Sequence, residues 1–198
     1  MNTTRVRILV IGLLALLVVA VVITVTSSGG SEAPASGGSG VDRAYTADMI
    51  PHHRSAVEMA EIAKDRSERP EIQRLADDII RSQSTEIGQM RGIETRLADA
   101  GAKKGSLGAA HSMKGMGNEA SLKTAEPFDR AFIDMMLPHH QSAIEMSRVE
   151  LAEGSDDETK ELATAIIAAQ AKEIEQMNSY RKAWFGSASP SGGVPPEK

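Results

Sequence analysis

Four of the five histidines in this chain stand in two identical pairs, His52–His53 and His139–His140, each directly behind a proline. The stretch "DMIPHHRSAVEM" (Asp48–Met59) is nearly copied in "MMLPHHQSAIEM" (Met135–Met146). Methionines recur in step with them, as Met49/Met136, Met59/Met146 and, farther along, Met90/Met177. Imidazole beside thioether suits Cu(I), and imidazole alone also serves Cu(II). Too few carboxylates accompany these donors to build the oxygen cage that Mg(II) or Ca(II) needs. There is no cysteine, which excludes disulfides, thiolate metal sites and a lipid-modified cysteine anchor.

A plainer reading competes with ligation. Histidines on an apolar face can hydrogen-bond buried glutamates, and methionine most often fills core space. The segment "HSMKGMG" (His111–Gly117) adds His111, Met113 and Met116 in a glycine-rich connection, where packing does not readily explain methionine. It is a candidate auxiliary capture site, with chance in a low-complexity loop as its alternative.

The elements that position these residues are duplicated too. At an offset of 87, residues 43–63 and 130–150 share ten of 21 positions, and 76–90 and 163–177 share eight of 15, with no gap between the blocks. Each half predicts two helices, about 42–65 and 70–98, then about 127–153 and 156–184. Pro70 and Pro127 suit first helical turns, and "SDDE" from Ser155 to Glu158 has the pattern of a capping box. The fold expected is all-α, a four-helix bundle made of two repeated hairpins. The connection 99–126 is long enough to cross the length of the bundle, a topology the sequence permits without requiring.

At 100° per residue, Met49, His52, His53, Ala56, Met59, Ala60 and Ala63 share one face, with Arg54, Glu58 and Glu61 opposite. The third helix repeats that face with Met136, His139, His140, Ala143 and Met146. The apolar faces of the second and fourth helices carry Met90 and Met177, and each has a carboxylate in its middle, Glu86 and Glu173. A carboxylate there is costly unless it is paired or bound to a cation. Gln83 and Gln170 stand on the edge of the same faces, placed to orient it. If the helices began at Pro51 and Pro138, Met49 and Met136 would drop out of this arrangement.

Outside the repeats, Ile8–Val25 is an apolar run of 18 residues behind Arg5 and Arg7, interrupted by Gly12 and Thr24. As a helix it would span ~27 Å, close to the hydrocarbon thickness, with the remainder of the chain outside the cytoplasm. Residues 1–26 therefore read as a transmembrane anchor, with a cleaved signal peptide as the rival. Residues 27–40 read as a Gly/Ser linker, 41–185 as the repeated metal-binding domain, and 186–198 as a disordered tail. The net charge of −5, with only six aromatics, argues against a nucleic-acid partner.

With "MIPHH", "FDRAFIDMMLPHHQSAIEMS" and the intervening "HSMKGM", residues 41–185 resemble the family called domain of unknown function 305. The resemblance implies a ferritin-like helical bundle, usually exported, with several members associated with copper. By position it points to Met49, His52, His53 and Met59, then Met136, His139, His140 and Met146. Asp48 and Asp134 are not equivalent in the repeat and are not expected to be ligands. The connection holds fewer histidines than the richest in the family, which weighs against high-capacity copper binding.

The function expected is extracytoplasmic, membrane-anchored copper binding, for sequestration or delivery rather than catalysis. The candidate metal residues are the four paired histidines, the six paired methionines, Glu86, Glu173 and the loop set His111, Met113 and Met116. The rivals are a ferritin-like di-iron or di-manganese oxidase and a metal-free, membrane-tethered interaction module. The oxidase chemistry ordinarily uses Glu-x-x-His on two helices, and no histidine here has a glutamate three residues before it.

Overall fold

A computed structural model describes residues 38–108 and 118–197. The helices are α1 (Gly40–Arg66), α2 (Pro70–Asp99), α3 (Phe128–Glu153) and α4 (Asp157–Phe185), with a short 3-10 helix at Glu119–Lys123. No strand occurs among the described residues. The apolar run Ile8–Val25 lies outside them, and within them no helix is long and apolar enough to cross a membrane.

Local chemistry sets the helix ends. The Ser39 hydroxyl accepts from the Val41 and Asp42 amides, and Asp42 accepts from the Ser39 amide in return, a capping box that opens α1. Pro70 occupies the first turn of α2, where its missing N–H leaves nothing unsatisfied. Two expectations are corrected. Pro127 is the cap residue of α3, one position before its first turn. Asp156, not Ser155, caps α4 by accepting from the Thr159 amide at 3.0 Å, because Ser155 is turned toward Asp42.

Pro51 and Pro138 both lie inside their helices, so Met49 and Met136 stay on the histidine face. That face is buried, from Met49 through Ala63 on α1 and from Met136 through Met146 on α3, whereas Arg54, Glu58 and Glu61 are exposed. Burying each of these methionines contributes about 1.5–3 kcal/mol.

Helix α1 packs along α2 and α3 along α4, and the two hairpins meet chiefly through α1 against α3. These central helices run antiparallel, since Tyr45 meets Ser147 while His52 meets His139. The pseudo-two-fold axis implied by the repeat therefore passes between His52 and His139. Helix α2 ends beside the start of α1, where Glu94 pairs with Arg43, but α3 begins beside its end, where Arg66 lies over Phe128. The connection between the hairpins must cross the bundle. It is held to α1 by Gly105 N–H on the Gly40 carbonyl (2.7 Å), Lys104 on Asp48 (2.8 Å) and Arg66 on the Leu122 carbonyl (2.6 Å). A Cβ on Gly105 would sit 2.8 Å from the Gly40 carbonyl carbon, so glycine is required at that approach.

The hairpins are cross-clasped at their turns. Asp42 accepts from the Ser155 and Asp156 amides at 2.9 and 3.0 Å, and its repeat partner Asp129 takes the Ser67 hydroxyl at 2.6 Å and pairs with Arg69. Beside Asp42 lies Glu150, fully buried. Desolvation, followed by the Asp42 carboxylate, pushes Glu150 up to about 9, so at neutral pH it is a neutral acid beside Asp42. Burial opposes ionisation of Asp42, but the neighbouring neutral Glu150 and hydrogen bonds from the Asp156 amide and Ser39 outweigh it and hold Asp42 below the usual carboxylate range.

Beyond Gly186, whose φ of 79° ends α4, the remaining described residues carry no further helix. The tail folds back across the bundle. Gln141 donates to the Ser191 and Gly193 carbonyls, Arg148 to those of Pro195 and Pro196, and Val194 packs on the core. Side chains of α3 satisfy its backbone where a hydrophobic run is lacking.

Candidate metal centre

The core divides into two apolar clusters. One holds Met49, Met90 and Met146, and the other holds Met136, Met177 and Met59, the repeat partners in the same order. All four paired histidines are fully buried. At the axis the His52 and His139 rings are 3.8 Å apart between centroids, with His53 and His140 6.4 and 6.3 Å from their neighbours.

The outer histidines are held identically in the two halves. His53 Nε2 lies 2.7 Å from Glu86 Oε2, and His140 Nε2 lies 2.7 Å from Glu173 Oε2. Both carboxylates sit at the edge of the core, 13 and 14% exposed. The hydrogen-bonding reading of Glu86 and Glu173 is thus realised. The same contact places a ring proton on Nε2, and neither Nδ1 has a hydrogen-bond partner among the described residues. A carboxylate behind a histidine, fixing its tautomer and raising its basicity, is the arrangement found behind metal-bound imidazole.

The inner pair is not symmetric. His52 Nε2 is 2.6 Å from Ser142 Oγ, which donates its own proton to the His139 carbonyl at 2.9 Å. Nε2 of His52 therefore carries the N–H and Nδ1 the lone pair. Neither ring nitrogen of His139 has a side-chain hydrogen-bond partner among the described residues, and the His52 backbone only weakly favours its protonated form. Desolvation, then the neighbouring His52, His140 and His53, holds its pKa well below the ordinary imidazole value, so it is neutral at pH 7.

One expectation fails here. Gln83 and Gln170 are buried, but neither amide bonds to a glutamate, and both of their polar atoms lack a partner among the described residues. Among the described residues no three His, Asp or Glu side chains converge on one point. Donors that could complete a ligand set beside these imidazoles are the thioethers. Glu58 and Glu145 face outward as expected. Asp48 pairs with Lys104, and Asp134 with Arg181 (3.1 Å) and Arg130 (3.6 Å), away from the histidines. His111, Met113 and Met116 lie outside the described residues. The role of Ser142 was not anticipated, though its duplication as Ser55 was visible among the repeated positions.

Residues 42–181 match the family described as Domain of unknown function (DUF305). The chain belongs to the DUF305 family. Among solved structures, it is similar to CopM in the Cu(I)-bound form, at 34% identity and a TM-score of 0.62, covering 73% of this chain and 98% of that one. CopM has also been solved in apo, Cu(II)-bound and Ag-bound forms. A DUF305 protein from Streptomyces coelicolor aligns at 27% identity and a TM-score of 0.65, over 75% of this chain and 96% of that one. A 52-residue stretch is 44% identical to uncharacterized protein L153 of Acanthamoeba polyphaga mimivirus, covering 26% of this chain and 34% of that protein. This chain thus spans about a third of that relative's length.

Proposed function

We propose that this chain binds copper, preferentially Cu(I), in the histidine layer between the two methionine clusters, and sequesters or hands on the ion without catalysing a reaction. One observation carries the reading: buried ring nitrogens of His53, His139 and His140 with no side-chain hydrogen-bond partner among the described residues, set between two triads of buried thioethers. Leaving such nitrogens unpaired is costly unless something else binds them. The similarity to a protein crystallised with Cu(I), Cu(II) and Ag supports the choice of metal. The apolar run Ile8–Val25 supports a further part of the proposal, a domain tethered to the outer face of a membrane. In the crossover, Lys104 on Asp48 and Ser55 on Glu119 anchor the described residues on either side of His111, Met113 and Met116, beside the helix that carries His52. We assign that segment to copper capture rather than to the tightest site.

Competition for Cu(I) between the full chain and a chromogenic chelator tests the proposal, with Mg(II) and Ca(II) as controls. The full chain should withdraw Cu(I) from the chelator, and a chain with His52, His53, His139 and His140 all changed to alanine should not, while keeping its helical circular dichroism. Failure of the parent to compete at any concentration removes copper from the reading. If the variant unfolds, the volume-conserving His139→Gln and His52→Gln variants take its place. Full copper binding by both of them would leave the histidines as a structural network.

A further inference from the structure

The repeat makes a specific demand that the structure does not meet. An offset of 87 relates Ser142 to Ser55 and His139 to His52. Because Ser142 binds the His52 ring and donates to the His139 carbonyl, Ser55 should bind the His139 ring and donate to the His52 carbonyl. Ser55 instead donates to Glu119 Oε1, and His139 Nε2, fully buried, has no side-chain hydrogen-bond partner among the described residues. Glu119 opens the 3-10 helix of the crossover. The chain crosses the bundle once, so that element has no repeat partner and no second glutamate is available to treat Ser142 in the same way.

We infer that Glu119 is a positioning residue for the metal centre: by taking the Ser55 hydroxyl it keeps both His139 ring nitrogens open to a soft metal ion, and it makes the two halves of the histidine layer inequivalent. This rests on the copper reading above. Without the Glu119 carboxylate, Ser55 returns to the rotamer its counterpart uses. Its oxygen then accepts from His139 Nε2–H, and its proton goes to the His52 carbonyl. Any metal approaching His139 through Nε2 must then break a buried hydrogen bond, which weakens binding roughly fivefold.

The test uses the full chain as wild type, Glu119→Ala, Glu119→Gln and the double variant Glu119→Ala/Ser55→Ala. Ring ¹⁵N spectra of His139 are recorded without metal, and Cu(I) affinity is measured by chelator competition. In Glu119→Ala the His139 ring should gain a slowly exchanging Nε2–H absent from wild type, and Cu(I) should bind roughly fivefold more weakly. The double variant should recover both wild-type signatures, and Glu119→Gln should retain them, since an amide oxygen still accepts from Ser55. Identical His139 spectra in wild type and Glu119→Ala would overturn the inference, as would altered spectra with unchanged copper affinity. If the spectra change as expected and no chain binds Cu(I), including wild type, the copper reading falls and takes the metal role of Glu119 with it. The positioning of Ser55 would then stand as a feature of the metal-free protein.

Discussion

Substitution of Glu150 by glutamine should make the protein more stable, and increasingly so as pH rises from about 7 to 9. Glu150 is fully buried, and its pKa is pushed up to about 9 from 4.5. Between those values the folded chain keeps a proton that the unfolded chain has released. Stability therefore falls as pH rises through that window and levels off above it. Each pH unit in the window is worth about 1.4 kcal/mol at most. Histidine has finished titrating in the unfolded chain above about pH 7, so the two units up to pH 9 isolate Glu150, at an upper bound of about 2.7 kcal/mol. The folded chain relaxes around a newly charged group, so about half of that bound is expected, or roughly 3–6 °C in Tm for a domain of this size. Glutamine has nearly the same shape and cannot ionise beside Asp42. Thermal melts of parent and Glu150→Gln across the window are the assay. A parent whose Tm falls no faster with pH than that of the variant would refute the argument that Glu150 is held as a neutral acid.

Three further outcomes follow from other buried groups. Removing Asp134 by substitution with alanine leaves the Arg181 guanidinium, 2% exposed, without its carboxylate and should cost about 3–5 kcal/mol by urea denaturation. Gly154→Ala would drive a Cβ to 2.1 Å from Glu150 Oε1 and 2.6 Å from the Glu150 carbonyl oxygen, and a Tm loss equivalent to about 1–3 kcal/mol is expected. On the acid side, His139 is held below its ordinary pKa, so the stability gained by keeping it neutral is complete above about pH 6.5 and lost as pH falls below it, by up to about 1.4 kcal/mol per unit. Metal-free His139→Gln should show a shallower decline in Tm between about pH 6.5 and 5 than the parent.

What the sequence determines by itself is whatever depends on one helix at a time. The 3.6-residue period put Met49, His52, His53 and Met59 on one face and Glu58 on the other, and burial follows that division. The 87-residue offset doubled the face and made the hairpins legible, because each is joined by a turn of a few residues and has little freedom to pair elsewhere. Periodicity says which side of a helix is apolar. It does not say which polar atoms will meet across the interface, nor how a connecting segment will break a repeat. Tyr45 finds Ser147 and Asp42 finds Ser155 across more than a hundred residues, pairings that exist only once α1 lies antiparallel to α3. Composition does not reveal the contacts of the tail, because they are backbone carbonyls satisfied by Gln141 and Arg148 on another element. The repeat likewise makes His52 and His139 equivalent. The crossover separates them, since one chain can cross the bundle only once and brings Glu119 to Ser55 and no counterpart to Ser142.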